Sequence, residues 1–558
     1  MLPRSPQVWR VAGASIALTL VLALALDYRK GNAWNPFELP IYSHLLLFQD
    51  YYAIVPFAGI LLLALFAPIG ELGALAASWC GRNVRVVALL TTAALAAGTH
   101  AVYHTHELSL DEHSVVFQSR IFAAGHLSGF FPPDLMDWLI PRFFQGKFLI
   151  GSPVTGKVTS IYWPGFALLL TPFTALGVPW LLNPLIGGCT VLAMHRLALK
   201  LFGNAESAGY VVLLTLASPA VSINAISYYA MPAHLLASAL FTLLLLTPTP
   251  GRALLAGLVG SVALVLHNPV PHTLFALPWI VWLALRADRV RLVSALILGY
   301  LPLCLLLGAG WVLFLGTLGG QASPDGAATQ TAQAVIDRLG VIIATPPGVG
   351  LISRILDLGK LWLWAVPALV TVAALGAWQR RRDRGRWLLI GASGVLTYFG
   401  YYVVPFDQGH GWGFRYFHSA WLVLPLFAAS ALRESDAPHA ADPAPARGRL
   451  SGYIAACALL SIALLTSFRA LQVEHFISRH LHQLPVAASG ETRVVIIDAF
   501  RSYYGWDLVQ NDPFLRQRVT VFISRGRERD LAMMEKSFPD YRLLSSDRRG
   551  WVWGIPAR

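Results

Sequence analysis

The feature that most constrains this chain is a series of long apolar runs rich in Leu and Ala, beginning with Val11–Leu26 and separated by short arginine clusters. Runs of roughly 16–20 residues approach the length that crosses the ~30 Å hydrocarbon core of a bilayer. Across 558 residues the chain is 56% hydrophobic and only 13% charged. Lipid leaves two ways to satisfy a spanning backbone, the helix and the closed barrel. The Leu/Ala composition selects the helix, so the expected class is an all-α polytopic membrane protein. The formal charge of +13 needs no nucleic acid, because the arginines fall between the apolar runs, where the bias toward positive cytoplasmic loops puts them. Cys189, Cys304 and Cys457 lie inside apolar runs and Cys80 beside one, with no CxxC and no disulfide framework.

Topology follows from alternation between basic clusters. Arg82 and Arg85, Arg196 to Lys200, Arg286 to Arg291 and Arg380 to Arg386 are placed on the cytoplasmic side. The spans are then expected at 9–26, 51–67, 84–103, 180–197, 208–223, 230–247, 252–267, 270–285, 292–315, 361–378, 387–404, 416–432 and 450–467, about 13 in all. The N-terminus is inside. A signal peptide cut after Ala23-Leu-Ala25 is the alternative for the first run, and it leaves the later topology unchanged. Phe166–Phe173 would reverse every later basic cluster if it crossed, so it is expected to lie on the outer face as a juxtamembrane or re-entrant helix.

Three units result. Residues 1–83 carry two N-terminal spans, and 84–468 form the main transmembrane module, whose first outer loop is 104–179. Residues 469–558 form a small outer α/β domain, with strands at Arg493–Asp498 and Val519–Ser524, a helix at Arg529–Phe538 and a strand at Trp551–Trp553. Gly316–Gly350 reads as an outer loop and Arg433–Arg449 as an inner Pro/Ala-rich linker.

The outer face collects the polar chemistry. Asp111 and Glu112 are adjacent acids just after a span, followed by His113, Gln118 and Arg120. A solvated loop start or helix cap is the plain reading of such a pair. The chemical reading makes one carboxylate a general base toward an attacking hydroxyl. The other then holds the acceptor, raises its neighbour's pKa or binds a divalent cation through oxygen. Lys157 and Arg415 suit a phosphate, Arg as a bidentate fork and Lys as a point charge. The glycines around Arg415 let backbone approach a ligand closely. Tyr162, His267, Asn268, His410 and Tyr416 fall on the same face. Lys147 reads as an interfacial snorkelling residue, Trp163 and Trp412 as belt residues, and His267 and His272 as structural polar groups at a helix turn. His104, His106, His113 and Glu112 are a weak set for a metal. The parts suit displacement at an anomeric carbon with a lipid phosphate leaving.

Several stretches carry a family resemblance. They are Asp111-Glu112-His113-Ser114 through Gln118-Ser-Arg120, Lys157 followed by Tyr162-Trp-Pro-Gly165, Asn183-Pro-Leu185, Leu201-Phe-Gly203 and Trp412-Gly-Phe-Arg-Tyr416. Tyr503-Tyr504 and Asn511-Asp-Pro-Phe514 in the tail extend them. The chain resembles bacterial GT-C superfamily membrane glycosyltransferases of the protein mannosyltransferase and aminoarabinose transferase branch, over roughly residues 84–558. The resemblance implies a GT-C-like fold in the bacterial inner membrane, with the C-terminal domain periplasmic. It implies inverting transfer of a sugar from a polyprenyl phosphate to a lipid, glycan or protein acceptor. Asp111 maps to the base, Glu112 to its partner, and Lys157, Arg415 and Tyr416 to the donor phosphate. Arg120, Tyr162, His267, Asn268 and His410 map to donor or acceptor contacts. Some relatives use a divalent metal such as Mg or Mn, for which Asp111 and Glu112 are the candidates, and others use none. Two departures stand out: the two extra N-terminal spans, and His267-Asn268-Pro269 where a basic residue before Pro is expected. A transporter or lipid flippase, or a glycan polymerase or ligase, is the alternative class. A transporter predicts ionisable residues deep within spans, and the mid-span regions hold few.

Overall fold

Leu- and Ala-rich runs form helices because each backbone group is paired within its own segment. The computed structural model describes residues 5–32, 39–66, 69–318, 348–404, 407–435, 449–485 and 493–555. In chain order the helices before and within the first loop are α1 (Pro6–Gly31), α2 (Ile41–Phe48), α3 (Ile54–Phe66), α4 (Ile69–Arg82), α5 (Val84–Ala101), α6 (Leu110–Ala123), α7 (Met136–Leu139) and α8 (Gly165–Ala175). The bundle continues through α9 (Leu182–Phe202), α10 (Ala205–Leu216), α11 (Pro219–Asn224), α12 (Met231–Leu245), α13 (Pro250–Val265), α14 (Val270–Ala284), α15 (Arg289–Leu303) and α16 (Gly310–Thr317). It closes with α17 (Gly348–Leu363), α18 (Leu369–Gln379), α19 (Arg386–Gly400), α20 (Val423–Ser435), α21 (Leu450–Leu460) and α22 (Ser467–Leu481), and α23 (Arg527–Ser537) lies in the tail. Among the described residues six helical segments are long and apolar enough to cross a membrane, and shorter apolar helices stand beside them. Exposed Leu20, Val21, Leu24, Leu89, Ile297 and Leu306 give the bundle an apolar outer surface fit for lipid.

Several expected boundaries shift. The span expected at 361–378 is interrupted between α17 and α18, where Ala368 takes φ +68°. The span expected at 416–432 opens as a 3-10 turn, Arg415–Ala420. The helix expected to end at 467 runs on through a π-turn, Ser461–Thr466, into α22. That extension is polar on one face, so its sequence does not read as a span, yet it carries the helix out to the tail domain. Most of the expected loop 316–350, and residues 436–448 of the expected linker, lie outside the described residues.

One helix was not anticipated. α4 packs at one end on the start of α21 and at the other on the start of α10, so it lies across the end of the bundle that carries the basic clusters. Its approach is set by small residues. A Cβ on Gly81 would stand 2.0 Å from the Ala205 carbonyl oxygen, and one on Gly209 1.8 Å from that of Ala77. α1 and α3 are tied to the bundle by polar contacts inside it. Ser15 Oγ lies 2.9 Å from Thr371 Oγ1, Trp362 Nε1 donates to Thr19 Oγ1 (3.1 Å) and Tyr453 Oη donates to the Leu61 carbonyl (3.2 Å).

The opposite end is capped by the first loop and the tail. In the loop, α6 packs on α8, which is the helix expected at 166–173, and a small antiparallel sheet joins β1 (Gly129–Phe130), β2 (Leu149–Gly151) and β3 (Lys157–Ser160) in the order β1-β3-β2. Strands of two to four residues are too short to show a period in sequence. The tail sheet runs β5-β4-β7-β6 from β4 (Arg493–Ile497), β5 (Val519–Ile523), β6 (Arg542–Asp547) and β7 (Gly550–Gly554), with β4 parallel to β5 and antiparallel to β7. It adds β6 to the expected strands. Loop and tail share one core: Phe117, Phe131 and Met136 pack with Ile496, Phe522 and Met533. Trp138 Nε1 donates to Asp530 Oδ1 (2.9 Å) and Phe130 N to the Pro513 carbonyl (2.8 Å).

Candidate active site

Ser109-Leu-Asp-Glu112 starts α6 with the spacing of a capping box, Ser at the N-cap and Glu three residues on. This local geometry separates the two acids. Glu112 turns inward and is fully buried. Its Oε2 accepts Leu108 N–H (3.1 Å) and its Oε1 accepts Tyr228 N–H (2.8 Å), fastening the helix start to the loop before α12. Burial pushes this carboxyl up to about 8, against the lowering effect of those donors. Asp111 turns the other way, into a cavity of about 2420 Å³ between the bundle, the first loop and the tail. The structure thus departs from the expected role of Glu112 as an acceptor or metal partner: both its oxygens are taken by backbone N–H groups of Leu108 and Tyr228, and it does not line the cavity.

Three donors converge on Asp111. Arg415 Nη2 donates to Oδ2 (2.7 Å), Tyr162 Oη donates to Oδ1, and His267 Nε2 stands 3.6 Å from the same oxygen. Burial alone would raise this carboxyl. The Arg415 charge, with His267 and Tyr162, outweighs it and holds Asp111 well below the usual carboxylate range. The His267 tautomer is set from behind. Val270 N–H donates to Asn268 Oδ1 (3.1 Å), which leaves the Asn268 amide N–H facing His267 Nδ1 (2.6 Å) and the imidazole N–H on Nε2, toward Asp111.

Arg415 is aimed by the segment before it. Its Nη1 donates to the carbonyls of Gln408 (2.9 Å) and His410 (2.5 Å), and its guanidinium lies 4.1 Å over the Tyr229 ring. Gly411 has φ +118°, and a Cβ there would stand 2.5 Å from Arg415 Cδ, so only glycine admits both the turn and the side chain. With Nη1 committed to two carbonyls and Nη2 to Asp111, Arg415 is a fixed counter-ion to the acid. The open phosphate fork expected from sequence is not its arrangement. Tyr416 lines the cavity, stacks on Tyr401 at 4.2 Å and donates its hydroxyl to the Asp407 carbonyl (2.8 Å).

Two expected site residues lie elsewhere. Lys157 is exposed at the start of β3, paired with Phe130, and is not part of the cavity wall. Arg120 pairs with Glu107 (3.1 Å), which also faces His113 Nδ1 (3.6 Å), in a cluster behind α6. Burial acts to raise Glu107, but Arg120 and His113 bring it down to about 2. Tyr162, His267, Asn268 and His410 do line the cavity. Lys147 and Asp407 line it too, as do Arg479 and Arg501, which sequence reading passed over. Lys147 stands in the turn between α7 and β2 and looked like an ordinary interfacial lysine. Arg479 sits on the extension α22 and Arg501 in the tail, and nothing in the order of the chain brings either to the site. The residues do not fit a divalent cation: Asp111 faces a guanidinium, both Glu112 oxygens accept backbone N–H groups, and among the described residues no group of three or more His, Cys, Asp or Glu could hold a metal.

No protein-family model matches the chain, and no curated protein matches it. Solved structures do. ArnT from Cupriavidus metallidurans bound to undecaprenyl phosphate aligns with a TM-score of 0.50 at 12% identity, covering 83% of this chain and 97% of that one. The chain has the fold of ArnT. The apo crystal structure of the same protein aligns with a TM-score of 0.51, also at 12% identity, over 84% of this chain and 97% of ArnT. The ArnT fold is thus present here with little of the ArnT sequence.

Proposed function

We propose that this chain is a membrane glycosyltransferase that moves a sugar from a polyprenyl phosphate to a lipid, glycan or protein acceptor, with inversion, at the end of the bundle capped by the first loop and the tail. That end is periplasmic on the charge bias of the loops. The observation that carries the reading is the cavity itself. Its wall combines the charged Asp111 and Arg415 with apolar side chains that include Trp163, Val270, Pro271, Val312 and Leu315. A polar headgroup on an isoprenoid tail has that division, and a cavity this large exceeds the ~300–1,000 Å³ of ordinary small-molecule sites. ArnT, which has the same fold, was crystallised with undecaprenyl phosphate.

In this reading the acceptor hydroxyl donates to the lone pair of Asp111 that Arg415, Tyr162 and His267 leave open. The acceptor oxygen attacks the anomeric carbon from the face opposite the phosphate. The bond from that carbon to the phosphate oxygen breaks, its electron pair leaves with the polyprenyl phosphate, and the hydroxyl proton passes to Asp111. A carboxylate held so far down is a weak base, so it orients the hydroxyl and takes the proton late, as the new bond forms. Lys147, with its ammonium 3.6 Å over the Phe143 ring at the cavity wall, is the cation we assign to the departing phosphate.

Purified protein incubated with radiolabelled undecaprenyl-phosphate arabinose and undecaprenyl-phosphate mannose, with cell-envelope extract as acceptor, tests the proposal. Label should leave one of the donors and appear in acceptor together with free undecaprenyl phosphate. Donor that stays intact with every acceptor fraction would count against it.

A further inference from the structure

Gln408 is buried, 4% exposed, and its side chain makes two hydrogen bonds that the chemistry above does not use. Nε2 donates to the Gly413 carbonyl (2.7 Å), and Oε1 accepts Arg415 N–H (2.9 Å). The Gln408 carbonyl takes Arg415 Nη1 (2.9 Å). One residue therefore grips Arg415 at both ends, its backbone through the side-chain amide and its guanidinium through the main chain.

The turn between the two residues needs that grip. Gly409, Gly411 and Gly413 all take positive φ, at +63°, +118° and +69°. Glycine loses more conformational freedom on ordering than any other residue, so such a turn does not hold its shape unaided. The Gln408 amide closes it, joining position 408 to 413 and 415. The middle of the turn is fastened separately: Asn224 Nδ2 donates to the Trp412 carbonyl (3.0 Å), and Trp412 Nε1 donates to Tyr103 Oη (2.8 Å). Those two bonds tie the turn to the bundle, and neither is a bond to Arg415.

We infer that Gln408 is a positioning residue for the reaction, which clamps the glycine turn and so holds the Arg415 guanidinium against Asp111. The inference rests on the transfer reading above and adds a residue to it. Its consequence reaches the acid. Asp111 is in contact with Arg415, Tyr162 and His267, and Glu112, His410 and Asp507 lie within its field. Burial acts to raise its carboxyl, and among the groups opposing burial the Arg415 charge is the largest. With the clamp removed, Arg415 leaves its aim part of the time and the buried acid rises. Once protonated, it cannot take the proton of the acceptor hydroxyl.

The test uses full-length protein in detergent, with radiolabelled undecaprenyl-phosphate arabinose and undecaprenyl-phosphate mannose as donors and cell-envelope extract as acceptor. Gln408→Met keeps the reach of the side chain and removes its donor and acceptor. It should lower kcat about tenfold, with the donor KM within about twofold of wild type. Its melting temperature should stay within a few degrees, because the bonds to Trp412 remain. The ratio of kcat at about pH 5 to kcat at about pH 8 should fall about threefold or more below the wild-type ratio, a change that a merely structural role would not produce. Because Gln408 acts through Arg415, the same substitution in an Arg415→Lys background should cost less than about twofold further. Gln408→Asn, with both polar groups one carbon short, should move the pH ratio the same way by less. Wild-type kcat and pH ratio in folded Gln408→Met, or an equal loss in the Arg415→Lys background, overturns the inference. Failure of both Gln408 variants to fold assigns the residue to the fold and overturns it too. Wild-type protein that leaves both donors intact overturns the transfer reading, and this inference with it.

Discussion

Two aspartate–arginine pairs of nearly equal geometry sit in different parts of this molecule. Asp111 and Arg415 are 2.7 Å apart at the cavity wall, with side chains 16% and 10% exposed. Asp50 and Arg469 are 2.8 Å apart and 3% and 0% exposed. Asp50 also accepts Trp364 Nε1 (2.8 Å) and faces Lys360 Nζ (3.3 Å), while Arg469 donates to the Leu363 carbonyl (3.0 Å) and lies over the Trp364 ring. Every partner of that second pair comes from the protein. It joins the segment between α2 and α3 to α17 and to α22, and so pins the N-terminal helices to the rest of the bundle. The first pair keeps a face toward the cavity. Identical chemistry thus gives a strut in one place and a candidate site in the other, and the difference lies in access.

The contrast can be broken by mutation. Arg469→Met leaves Asp50 buried without its main partner, and removing one member of a buried pair costs about 3–5 kcal/mol. The expected result is loss of folded protein on extraction, read by size-exclusion chromatography and melting temperature. Glu112→Gln should sit between strut and site. It weakens a buried tie to the backbone N–H groups of Leu108 and Tyr228, costs about 1–2 kcal/mol and leaves measurable transfer in whatever protein folds. Lys147→Gln should raise the KM for the donor about tenfold, consistent with loss of one charge-assisted contact, while Lys157→Gln, on an exposed strand, should leave KM and kcat unchanged.

The smallest effect is in pH. Burial raises Asp507, whose Oδ1 accepts Leu110 N–H (2.9 Å), to about 7, and raises Glu112 to about 8. Their unfolded values are near 4, so above pH ~4 the folded chain retains protons that the unfolded chain has released, and stability falls as pH rises toward 7–8. Glu107 and Asp111, both depressed, act in the opposite sense only below about pH 4.5. The melting temperature should therefore decline from pH 5 to pH 8, and Asp507→Asn should flatten that decline.

The apolar helices and the Asp111 corner were legible in sequence for definite reasons. Long Leu/Ala runs mark the helices. An acid pair beside a span, with His267 and Arg415 on the same face, marked the corner. The losses also have physical causes. α4 is short and built on Gly and Ala, so it reads as linker although it packs more tightly than many spans. The two acids look equivalent in sequence, and only the turn of α6 between consecutive residues points one inward and the other out. Lys147 and Lys157 cannot be ranked without the β2–β3 hairpin, which places the first at the cavity and the second away from it.

The central claim is that Asp111 serves the reaction and not the fold. It is tested most directly by measuring sugar transfer and melting temperature on the same preparation of Asp111→Asn. The account predicts a melting temperature within a few degrees of wild type and release of undecaprenyl phosphate reduced by about 10²-fold or more. Wild-type turnover in a folded Asp111→Asn protein would contradict it.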